Sequence, residues 1–138
     1  MSSNLNEGSS SNPRLVFQHV TLGSFVAEGD IWTSNIALDS GSLELSLAGN
    51  ESAPHESLVT AASALLARLS ELKEAALDLL TSQDDTPDRR DFICQGMELL
   101  REESSDHFSL SFVFFGDLGG IWRVEFEDGE PLFLARDD

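Results

Sequence analysis

Apolar and polar residues alternate in several short stretches of the chain, and in one long stretch the apolar residues recur at helical spacing. Arg14 to Leu22 (RLVFQHVTL) is apolar and β-branched enough for a strand, which Gly23 ends. From Ile31 to Leu38, Trp32, Ile36 and Leu38 share one parity, with Thr33 and Asn35 on the other. Asp39-Ser40-Gly41 supplies turn chemistry, because Gly tolerates positive φ and Asp can close an Asx-turn. Ser42 to Ala48 then resumes the alternation, with Leu43, Leu45 and Leu47 inward and Glu44 and Ser46 outward. The pair predicts a hairpin with one wet face and one dry face.

The middle of the chain predicts helices. Leu58, Ala62, Leu65, Leu69, Leu72, Ala76 and Leu79 fall on one stripe, which Leu66, Leu77 and Leu80 widen. Arg68 and Lys73 border the stripe, Glu71, Glu74 and Asp78 lie opposite, and Pro54 suits the first turn. Heptads of this kind also occur in coiled coils, but flanking strands favour a helix laid on a sheet. A second helix is predicted from Thr86-Pro87, with Thr as N-cap, Pro at the first helical position and Asp88 at the positive end of the dipole. On it Phe92, Ile93, Met97, Leu99 and Leu100 gather with Gly96, opposite Asp91, Gln95, Glu98 and Glu102. Ser82-Gln83-Asp84-Asp85 is short enough to join the two as an antiparallel pair.

The last third is again strand-like. Phe108, Leu110, Phe112 and Phe114 alternate with Ser109, Ser111, Val113 and Phe115, and the segment from Gly116 to Gly120 turns the chain. Trp122, Val124 and Phe126 alternate with Arg123, Glu125 and Glu127; Asp128-Gly129 is a strong hairpin signal, and Pro131 marks the last strand, Leu132 to Ala135, as an edge. Gly29-Asp30-Ile31-Trp32 is echoed by Gly119-Gly120-Ile121-Trp122, which reads as two similar hairpins converging on one solution. Met1 to Pro13 is rich in Ser, Asn and Gly and reads as a flexible leader, followed by a single domain from Arg14 to Asp138. The expected fold is α+β: an antiparallel sheet of about five to six strands, order β-β-β-α-α-β-β-β, with two helices packed on one face.

With 41% hydrophobic residues in 138, one domain can build its own core. Acidic residues outnumber basic ones 25 to 8, for a net charge of −17. That field repels phosphate, so nucleic acid and anionic membranes are poor partners. Cys94 is the single cysteine, which fits a reducing compartment. The start of the chain has no signal-peptide pattern, and no window approaches the apolar length of a membrane helix. Asn50-Glu51-Ser52 matches the glycosylation pattern, which means nothing without secretion. The expected location is cytoplasmic.

No constellation announces catalysis. His19, His55, His107 and Cys94 lack zinc-ligand spacing, and an EF-hand opened at Asp84 would need Gly where Arg89 stands. There is no G-x-S-x-G elbow, and acidic neighbours would raise the Cys94 thiol pKa. The Gly116–Gly120 segment matches no nucleotide-binding loop. No catalytic, cofactor-binding or metal-binding residue is therefore assigned, no cofactor is expected, and the chain reads as non-enzymatic. What remains is charge. Asp84, Asp85, Asp88, Asp91, Glu98 and Glu102 form a run that is either a solvated face or a docking surface for a basic protein.

Gly29-Asp30-Ile31-Trp32, Leu43 to Leu47, the Leu/Ala helix, and Phe112 to Gly116 through Trp122-Arg123-Val124 and Asp128-Gly129 together resemble small uncharacterised bacterial α+β domains, some linked to toxin immunity. The resemblance lies in pattern and order, covers about residues 15 to 135, and brings no active-site residue with it. It implies a compact cytoplasmic partner-binding protein, such as an immunity-type inhibitor of a basic toxin. An acidic secretion chaperone is the alternative, although such chaperones usually open with a helix. A small enzyme is a third reading, and would require a cleft of converging polar groups. A homodimer through the first helix stays open.

Overall fold

The computed structural model describes residues 15–38, 41–83, 91–101, 107–114 and 121–137. The elements run β1 (Val16–His19), β2 (Gly23–Glu28), β3 (Ile31–Leu38), β4 (Gly41–Ala48), α1 (Glu56–Leu66), α2 (Leu69–Gln83), β5 (Phe92–Leu99), β6 (His107–Phe114), β7 (Ile121–Glu127) and β8 (Glu130–Asp137). The strands hydrogen-bond in sequence order as one eight-stranded sheet. Every neighbouring pair is antiparallel except β4–β5, which is parallel. The sheet is thus two four-stranded meanders. The helical connection returns the chain from the end of β4 to the start of β5, as a parallel pair requires.

This corrects the expected antiparallel sheet of five to six strands: the sheet is mixed and has eight. One added strand is β2, which lies beyond the expected strand Arg14 to Leu22; that expected strand is shortened to β1. It stops at His19, whose Nδ1 accepts hydrogen bonds from the amides of Thr21 (3.1 Å) and Leu22 (3.0 Å) and closes a turn into β2. A histidine here takes the part that Asn or Asp takes in an Asx-turn.

The other is β5, expected as the second helix. Its register slips between Cys94 and Gly96, so Gln95 is an extra residue and the inward parity changes from Phe92 and Cys94 to Met97 and Leu99. A bulge of this kind breaks period-two alternation and leaves apolar spacings that imitate a helix. The helix start at Thr86-Pro87-Asp88 lies outside the described residues, as do the leader Met1 to Pro13 and the turn from Gly116 to Gly120.

The predicted long helix is two helices, separated at Ala67 and Arg68. Arg68 Nε and Glu71 Oε1 pair at 2.9 Å across the first turn of α2. Eight strands span ~34 Å, and the break lets α1 contact β4 while α2 reaches β8 at the far edge. Pro54 lies outside the helix, bridging Gly49, and His55 is the N-cap.

The expected stripe does face the sheet. Leu58 and Ala62 of α1 and Leu69, Leu72, Ala76 and Leu80 of α2 are buried in one cluster with the inward residues of the strands. Those include Phe25, Trp32, Leu43, Leu45, Leu47, Met97, Leu99, Phe108, Leu110, Phe112, Val124 and Phe126. Phe108 and Phe126 stack across β6–β7 at 4.6 Å between ring centroids. The two Trp residues hold matching places: each is on the third strand of its meander and meets a Phe of the first strand edge-on. Phe17–Trp32 and Phe92–Trp122 both have centroids 6.4 Å apart. Asp128 and Gly129, at φ 54° and 79°, form the hairpin turn between β7 and β8 that their sequence predicts.

Candidate functional site: the open face of the sheet

The helices leave one face of the sheet uncovered, and that face carries the polar parity of the strands. Cross-strand register lines its residues up in rows. Thr33, Ser46, Glu98, Ser109 and Glu125 form one row across β3 to β7. Asn35, Glu44, Gly96, Ser111 and Arg123 form the next. Each row covers about 19 Å at the usual strand spacing. Small residues hold the middle: Ser46 and Ser109 are buried, as is Gly96, so the backbone lies close to the surface between taller carboxylates.

Two concavities open on this face. One, of about 210 Å³, is lined by Glu98, His107, Ser109, Arg123 and Glu125 with Leu100 and Arg101 at its border. The other, of about 240 Å³, is lined by Val26, Glu28, Thr33, Asn35 and Glu44. Glu125 is occupied within its own protein: Arg123 Nε donates to Oε2 at 2.8 Å, and His107 Nε2 lies 3.6 Å from Oε1. Its side chain is only 14% exposed, so these contacts offset the cost of partial desolvation.

Glu98 is different. Ser109 Oγ donates to its Oε1 at 3.5 Å, long for a hydroxyl–carboxylate bond. Among the described residues no cation lies within ion-pair distance of Glu98 or of Glu44. Half-buried Glu98 and exposed Glu44 are thus carboxylates with acceptor capacity to spare.

His107, Ser109 and Glu125 are the residue types of a nucleophile, a base and an orienting acid. Their geometry does not assemble that relay. His107 turns Nε2 to Glu125, Ser109 turns its hydroxyl to Glu98, and no hydrogen bond joins Ser109 to His107. Among the described residues, no group of three or more His, Cys, Asp or Glu side chains could hold a metal ion. No helix among them is long and apolar enough to cross a membrane.

Of the acidic run singled out from sequence, Asp84, Asp85, Asp88 and Glu102 lie outside the described residues. Asp91 is exposed just before β5 and Glu98 is near its far end, separated by about 20 Å of extended chain. The helical face expected to hold both is therefore a strand. Of the two described, Asp91 and Glu98, only Glu98 lines the concavity. Glu44, Ser46, Ser109, Ser111, Arg123 and Glu125 were legible only as outward positions. Their signal was serine or glycine at outward positions of β4, β5 and β6, but it means nothing until β5 is placed between β4 and β6.

Comparison of the chain with protein-family models, with curated proteins and with solved structures finds no match.

Proposed function

We propose that this chain is a non-enzymatic binding protein that docks a basic protein on the open face of its sheet, in the manner of an immunity-type inhibitor of a basic toxin. The observation that carries the reading is Glu98, a half-buried carboxylate in a concavity, with a single long hydrogen bond and no described cation within ion-pair distance, although Arg101 and Arg123 line the same concavity. Keeping a carboxylate partly desolvated costs stability unless something meets it. A lysine or arginine from a partner entering between Glu98 and Glu44 supplies that counter-charge. The net charge of −17 attracts such a partner from a distance. A toxin whose active site grips nucleic acid has the complementary cationic groove.

The test is capture from native lysate at low salt with wild-type protein, the E44K/E98K variant and the helix-side control E74K/D78K. One basic folded protein that elutes with salt and is lost only by E44K/E98K supports the reading. Equal retention by both variants would sink it. A client held as an unfolded segment would instead indicate a secretion chaperone.

A further inference from the structure

A separate cavity lies on the helix side, where α2 passes over the starts of β4 and β5. It has a volume of about 270 Å³. Leu77, Phe92, Cys94 and Phe112, all buried, wall it, while Ser42 and Lys73 bring polar groups to it. Lys73 is the only lysine in the chain and Cys94 the only cysteine, and both line this space. Lys73 and Leu77 are one helical turn apart, so they point to the same side of α2.

The lysine has no carboxylate within ion-pair distance among the described residues. Its helix neighbours at three and four positions are Leu69, Ser70, Ala76 and Leu77, none of them acidic. In a chain where 25 acids face 8 bases, a cation with no described acid paired to it beside an apolar hollow is a pointed arrangement. Its charge also acts on the Cys94 thiol, opposing the burial that raises it.

We propose that this cavity binds a small apolar carboxylic acid, its hydrocarbon against Leu77, Phe92 and Phe112 and its carboxylate on Lys73. Apolar walls with a few placed polar groups are the usual build of a small-molecule site. A cavity of ~150 Å³ holds benzene, with six heavy atoms, so at the same filling this one takes about ten. Octanoate has that size. The overall negative charge disfavours anions everywhere else on the molecule, so saturable binding of one would have to be local.

The test uses the full chain, octanoate, and its uncharged counterpart octanamide. Calorimetry gives stoichiometry and affinity, and alkylation of Cys94 by N-ethylmaleimide reports occupancy of the cavity. The expected result is one octanoate per chain, slower Cys94 alkylation on saturation, and binding ten- to hundredfold weaker for octanamide, about the value of one hydrogen bond to a charged group. Lys73→Met should lose binding to the same degree and Lys73→Arg should keep most of it. Absent or non-saturable octanoate binding, unchanged Cys94 alkylation, equal affinity for octanamide, or full affinity in Lys73→Met would each overturn the proposal.

Discussion

Glu98 of β5 stands directly across the ladder from Ser109 of β6, and the buried serine hydroxyl gives the carboxylate a hydrogen bond of 3.5 Å. One bond at that distance leaves most of the acceptor capacity of a half-buried carboxylate unused. Removing its charge should therefore cost the fold little. Glu98→Gln is expected to change the free energy of unfolding by no more than about 0.5 kcal/mol, in either direction. Urea denaturation measures this, and a loss of several kcal/mol would mean that Glu98 is a structural residue.

Glu125 should behave in the opposite way. It holds Arg123 at 2.8 Å and faces His107 at 3.6 Å from a side chain only 14% exposed. Glu125→Ala removes one acceptor from a partly buried arginine and should cost about 1–3 kcal/mol. A double-mutant cycle with Arg123→Ala should return a coupling of about 1 kcal/mol, allowing for the 32% exposure of the arginine. Additive effects would show that the pair contributes nothing.

Gly49 is fixed by close approach. A Cβ there would run into the carbonyl oxygen of Ala53 and lie 2.6 Å from Pro54 Cα and 2.7 Å from Trp32 Cδ1. The neighbours cannot yield easily. Trp32 is fully buried and donates from Nε1 to the Asn50 carbonyl at 2.9 Å, while Asn50 Oδ1 accepts from the amides of Ser52 and Ala53. Gly49→Ala is expected to destabilise by about 2–3 kcal/mol, read from the thermal midpoint. An unchanged midpoint would show that this corner is loose.

Cys94 gives the fold a pH dependence on the alkaline side. Burial pushes its thiol from the ordinary 9.0 up to about 11, with Lys73 and the Gly96 amide pulling the other way. The unfolded thiol ionises first, so the unfolded state holds fewer protons between those values. Stability is then full below the unfolded pKa and falls as pH rises toward the folded one, by up to about 1.4 kcal/mol per pH unit. Cys94→Ala should remove that slope from a stability series run between pH 8 and pH 11. A slope that persists in the variant belongs to other groups.

Much of the fold was legible in sequence for a plain reason. Where one face is dry and one wet, parity shows on the chain, as in Leu43-Glu44-Leu45-Ser46-Leu47 and in Trp122-Arg123-Val124. The stripe from Leu58 to Leu80 was legible for the same reason at helical period. Structure and pattern part where a local device breaks the period. The His19-closed turn carries no Gly or Pro before Gly23, and the Gln95 bulge makes Phe92, Met97 and Leu99 look helical. The second break hid the site, because the rows of the open face exist only once β5 sits between β4 and β6. An acidic cluster was expected on one helix; its described members, Asp91 and Glu98, instead lie just before β5 and on it.

The central claim, that a cationic partner docks on the open face around Glu44 and Glu98, is tested most directly without knowing that partner. Titrating the isotope-labelled full chain with a ten-residue lysine peptide at low salt and following backbone amide shifts maps where cations settle. The account predicts the largest shifts at Glu44, Gly96, Glu98, Ser109 and Ser111, reversal by added salt, and loss of these shifts in E44K/E98K. Shifts concentrated instead around Glu71, Glu74 and Asp78 on α2, or spread evenly over the acidic surface, would contradict it.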